Sequence, residues 1–201
     1  MQVLTGADVL IGGFIIGGTT PKTVVVRARG PSLVPLGVPN ALPNPSLALF
    51  SGPTVIAFNE DWGDATNLAA LTASGFAPSN AAEAAILITL GPGAYTAIVQ
   101  DFTGGTGVGI VEVFEVDHPE IPLLNIATRG KVLTGGDVMI GGFVIYGDAP
   151  QTVVVRARGP SLTAAGVPGA LQDTARSRRT RRTKARLRAP PRGRGSGPWL
   201  D

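Results

Sequence analysis

Three features of this 201-residue chain predict an all-β fold, an antiparallel β-sandwich of jelly-roll or immunoglobulin-like type. Short apolar runs rich in Val, Ile and Thr recur along it, as half-buried strands require. Its 28 Gly and 17 Pro fall mostly between those runs, where turns belong. One long block is also written twice, so the fold holds one nearly complete module plus a partial second copy. Residues 3–42 and 132–171 align without a gap and agree at 29 of 40 positions. The stretch "VVVRARGPSL" stands in both, at residues 24–33 and 153–162. An offset of 129 residues is too long for a solenoid repeat and suits a whole domain.

The elements follow in order. The runs at 9–16, 23–29, 46–50 and 54–59 read as strands, then 84–90, 94–101 and 107–116. "GPGAYTAIV" at 91–99 is a turn that launches a strand, with Tyr95, Ala97 and Val99 on one face. Only 66–74, "TNLAALTAS", reads as helix, with Thr66 or Asn67 as its N-cap. The second copy adds strands at 124–127, 138–145 and 152–158. The organisation is therefore a module at 1–117 without its first strand, a linker at 118–123, the partial copy at 124–173 and an Arg-rich tail at 174–201. Three strands alone would leave an apolar face and open edges. The partial copy is expected to pack on the first module, to pair with another chain, or to be poorly ordered. One option has 124–127 supply the strand that the first module lacks.

The formal charge of +3 averages two unlike parts. Residues 1–173 hold 7 basic and 13 acidic residues, whereas 174–201 hold 10 basic and one acidic. A disordered polycation of that kind binds nucleic acid or another anionic surface through phosphate charge. The repeat also breaks into this Arg, Ala, Pro and Gly composition abruptly, as an out-of-frame reading of GC-rich DNA would; a frameshifted end is the expectation, and nucleic acid is a partner only if the tail is genuine. The absence of cysteine excludes a disulfide framework, a thiolate metal site and a cysteine nucleophile. The apolar start "VLIGGFII" has no basic flank, and its near copy "VMIGGFVI" lies inside the chain, so it reads as a structural strand. No membrane insertion is expected.

Four groups of residues are candidates for a site. Arg27 and Arg29 share one strand face, repeated as Arg156 and Arg158, and read first as solvated charges. Glu112 lies in phase with Ile110 and Phe114 and needs a cation, so a structural ion pair among Arg27, Arg29 and Glu112 is the sharper reading. An anion or glycan-carboxylate site is the third. Asn59, Glu60, Asp61 and Asp64 crowd oxygen ligands into "NEDWGD", a candidate calcium turn without the EF-hand spacing. The plainer reading is a polar turn with Trp62 as a packing plug, and no other cofactor is expected. Ser32 and Ser161 follow "GP", but the single histidine, His118, sits in the linker and "GPSL" is not a nucleophile elbow. Glycine-rich "GGTGVG" at 104–109 lacks a phosphate-loop lysine and reads as a hairpin loop. No catalytic residue and no enzyme activity are expected.

The ordered set "LNIATRG", "DVLIGGFIIGG", "VVVRARGPSL", "FNEDW", "LGPGAYTAIV" and "TGVGIVEVFEVD" resembles a tandem module of large bacterial surface and secreted proteins. From residue 47 to 117 the chain is also similar to the pre-peptidase C-terminal type of β-sandwich, in which an acidic turn of this kind can carry calcium. The resemblance implies a non-catalytic structural or adhesive module, secreted or at the cell surface, whose partners are neighbouring modules of the same parent protein. An accessory domain on a secreted hydrolase, binding surface polysaccharide, is the alternative. An exposed aromatic strip would favour that alternative, yet aromatics are few and Trp62 is the one tryptophan before the tail.

Overall fold

The computed structural model describes residues 1–135, 137–145 and 148–174. Its first compact unit, Met1–Gly142, is built of antiparallel strands. In chain order these are β1 (Gln2–Val3), β2 (Leu10–Ile16), β3 (Lys22–Arg29), β4 (Pro45–Ser51) and β5 (Thr54–Asn59). They continue as β6 (Ala84–Leu90), β7 (Gly93–Asp101), β8 (Gly107–Val108), β9 (Ile110–Glu115) and β10 (Leu123–Arg129). A five-stranded sheet runs β10-β2-β7-β4-β5, a three-stranded sheet runs β6-β3-β9, and β1 pairs with β8. The two larger sheets face each other as a β-sandwich.

Alternation along the strands makes the core. Leu10, Phe14 and Ile16 of β2, Leu47 and Leu49 of β4, and Ala97 and Val99 of β7 point inward from one sheet. Val24, Val26 and Ala28 of β3 and Ala84, Ile86 and Leu90 of β6 meet them from the other. Each large side chain buried this way contributes roughly 1.5–3 kcal/mol. Tyr95 packs on this core and stacks on Phe14 at 5.6 Å. Gly12 faces inward too, and a Cβ there would stand 2.9 Å from Cγ1 of Val111, so the glycine sets how closely β2 approaches β9.

The opposite face of the three-stranded sheet carries a second, smaller core. Val25, Ala85 and Leu71 are buried there, with Trp62, Phe76, Leu87 and Phe114 packed against them. Its cover is the excursion between β5 and β6, which contains a 3₁₀ turn at Trp62–Asp64 and helix α1 (Leu68–Ala73). Asn67 stands at the N-cap of α1 but its side chain does not cap it; Nδ2 donates instead to the carbonyl of Leu87 at 2.9 Å.

Residues 118–123 lead into β10, the edge strand of the first unit, which is antiparallel to β2 from Arg129↔Ile11 to Leu123↔Ile16; this is the arrangement in which residues 124–127 supply a strand to the first module. The single run at 107–116 is two strands, because Gly109 leaves the ladder to donate its N–H to Met1 O at 2.9 Å.

The second unit, Phe143–Asp201, shows no strand among its described residues; its one element is α2 (Pro160–Thr163). Strands were expected at 138–145 and 152–158, and neither forms. The side chains explain it: Val144, Val154 and Val155 are 75%, 83% and 67% exposed, and a strand without a bonded neighbour is not stable in water. The Arg-rich tail from residue 175 lies outside the described residues. Among the described residues no helix is long and apolar enough to cross a membrane.

Candidate functional site

The repeated "RGPSL" ends β3 and turns through a 3₁₀ segment, Pro31–Leu36. Pro31 opens it with a fixed φ, and a Cβ on Gly30 would collide with the carbonyl oxygen of Leu42. The freed backbone N–H groups of Gly30 and Ser32 point inward and donate to Oε1 of Glu83 at 2.8 and 2.9 Å. Glu83 is wholly buried, and its Oε2 has no hydrogen-bond partner among the described residues. Sequence reasoning missed Glu83. Its one signal was a lone acid in "NAAEAAI", next to a strand that otherwise carries no charge.

Arg27 and Glu112 are direct cross-strand partners on β3 and β9. Nε of Arg27 lies 2.5 Å from Oε2 of Glu112, and Nη1 donates to the carbonyl of Phe76 at 3.0 Å. The guanidinium also lies 4.7 Å from the centre of the Phe114 ring, which stacks on Phe76 at 4.5 Å. Arg29 reaches the other carboxylate oxygen at 3.9 Å and donates to Oγ of Ser32 at 2.8 Å. The structure therefore brings Arg27, Arg29 and Glu112 together, and attaches Ser32 to the same cluster. Among the described residues the side chain bonded to Oγ of Ser32 is Arg29, a donor. His118 lies elsewhere, exposed and 3.0 Å from Glu120.

Lys22 is a second buried charge that the sequence did not single out. Its side chain is 1% exposed, and Nζ donates to the carbonyls of Asp117, His118 and Ile121 at 2.9, 2.6 and 2.8 Å. Glu115 lies 3.6 Å away. Lys22 thus ties down the turn that feeds β10.

The four residues of the acidic turn do not converge. Oδ1 of Asn59 accepts the N–H of Ala85 at 2.9 Å, and its Nδ2 donates to the carbonyl of Asp61 at 2.9 Å. Trp62 donates from its indole to the carbonyl of Asn80 at 3.1 Å. Oε2 of Glu60 is buried without a hydrogen-bond partner among the described residues, and Asp64 is exposed. Among the described residues no group of three His, Cys, Asp or Glu is placed to hold a metal ion. The turn joins β5 to β6.

Asp101 and Asp117 are among the acids held below the usual carboxylate range. Burial pushes Asp101 up, but hydrogen bonds from Thr103, Gly105 and Asn44 outweigh it. Burial likewise raises Asp117, against bonds from Thr23 and the charges of His118 and Lys22, and the net direction is down.

Two shallow depressions mark the surface of the first unit. One of about 180 Å³ lies on the outer face of the five-stranded sheet, lined by Ser46, Ala48, Phe50, Phe58, Ile98 and Gln100. Phe58 is 53% exposed there and stands 6.5 Å from Phe102. A second, of about 200 Å³, lies between β5, β6 and the turn at Asp64 and Asn67. No family model, curated protein or solved structure matches this chain.

Proposed function

We propose that this chain is a non-catalytic structural or adhesive module of a secreted or cell-surface repeat protein. One observation carries the reading: the buried or half-buried charges, Glu83, Lys22, Asp101 and the Arg27–Glu112 pair, each bind backbone or one another and so serve the fold. The tandem copy supports it, because a module used for reach or display is multiplied along a chain. The test is surface labelling of intact source cells with an antibody raised against residues 1–129. Labelling that equals that of lysed cells is expected; labelling only after lysis would overturn the reading.

A carbohydrate-binding accessory role is the second reading. The uncharged depression beside the exposed Phe58 suits the apolar face of a sugar ring. Retention on insoluble polysaccharide that is lost in Phe58→Ala would favour it. Nucleic-acid binding rests on the tail alone, which lies outside the described residues.

A further inference from the structure

The chain holds two versions of one part and a single version of its complement. Residues 3–42 provide β2, β3 and the Gly30 turn, while residues 45–129 provide every strand that β2 and β3 pair with. Residues 132–171 repeat the first part at 29 of 40 positions. They keep its turn geometry without its strands. Leu162 N–H meets Gly159 O at 2.9 Å, as Leu33 meets Gly30 O at 2.9 Å. Arg158 Nε donates to Ser161 Oγ at 3.2 Å, as Arg29 does to Ser32 at 2.8 Å. Gly166 and Gly37 share a left-handed φ, 79° and 90°, and a Cβ on Gly159 would strike Leu171 O as one on Gly30 would strike Leu42 O. The match stops at Leu171, before any counterpart of Glu83.

We propose that residues 45–129 can be completed by either copy. In the described arrangement residues 3–42 do so. In the alternative, residues 139–145 take the place of β2 between β10 and β7, and 151–158 take the place of β3 between β6 and β9. Glu83 then closes the turn at Gly159 and Ser161. The connection allows this. β2 lies far back along the chain from its neighbour β10, whereas 139–145 follows Arg129 after only residues 130–138. A short loop between antiparallel neighbours costs less closure entropy than a long one. The alternative is a circular permutation of the same sandwich, and it holds whatever the chain does at a surface.

Two of the eleven differences between the copies set the balance. Lys22 is replaced by Gln151, which cannot donate three hydrogen bonds to the carbonyls of Asp117, His118 and Ile121. Gly17, packed close to the side chain of Leu124, is replaced by Tyr146. Both favour the first copy, so the alternative is the minor state.

The cysteine-free chain permits a direct competition. The hydroxyls of Thr23 and Thr89 lie 2.9 Å apart across β3 and β6, and Thr152 is the counterpart of Thr23. The full chain would carry Thr23→Cys, Thr89→Cys and Thr152→Cys, equilibrated in a glutathione buffer and mapped by mass spectrometry. The thiol at position 89 then bonds position 23 or position 152. Both bonds are expected within monomers, 23–89 in excess. Adding Gln151→Lys, which leaves the first copy untouched, is expected to raise the 152–89 fraction about tenfold, the weight of one charged hydrogen bond. Exclusive 23–89 bonding in both backgrounds would overturn the proposal, as would 152–89 bonds found only between chains.

Discussion

At the scale of single residues, the buried carboxylate of Glu83 is the most consequential group. Glu83→Ala would leave the N–H groups of Gly30 and Ser32 without acceptors. Each buried donor left unpaired costs about 1–3 kcal/mol, so a loss of about 3 kcal/mol is expected by denaturant unfolding. Glu83→Gln keeps an acceptor oxygen and should lose less; equal losses would show that the charge itself matters. For Arg27 and Glu112, a double-mutant cycle with alanine should give a coupling of about 1 kcal/mol, because both side chains remain partly wet. The sequence revealed this pair through phase: Glu112 fell on an apolar strand face opposite two arginines. It did not reveal Glu83 or Lys22, whose partners are backbone atoms of turns, and turn geometry is not written in the spacing of apolar residues.

At the scale of elements, the strands with apolar alternation were legible almost to the residue. The run at 54–59 and that at 84–90 match β5 and β6, and 46–50 differs from β4 by one residue at each end. The assignments that failed were those needing a partner. Residues 138–145 and 152–158 have the same pattern as β2 and β3, yet form no strand, since a strand is completed by its neighbours and not by its own composition. β10 joins the first unit for the matching reason: β2 offers it a ladder, interrupted only between Leu123 and Asn125. Its attachment depends on Lys22. In Lys22→Met, amide exchange across β10 should quicken at least about tenfold while β7 stays protected. Unchanged protection of β10 would show that the ladder alone holds it.

At the scale of the whole first unit, its acids make stability depend on pH in a defined direction. Asp101 and Asp117 titrate lower in the fold than in the unfolded chain. Their contribution is complete above the ordinary carboxylate pKa of about 3.9 and is lost as pH falls through their depressed folded values. The melting temperature should therefore drop between pH 5 and pH 2, approximate bounds set by that value. It should drop less in Asp101→Asn. Chelation acts differently. With Asn59 engaged by Ala85 and Asp61, EDTA is expected to leave the melting temperature within about 1 °C, against several degrees for loss of a bound ion.

The unit also brings residues 1–2 and 130–131 together. Gln2 forms a bridge with Lys131, and Met1 lies against Gly130. Force applied between these two points of the chain would load the Gln2–Lys131 bridge first, leaving the sandwich itself unloaded until that clasp opens.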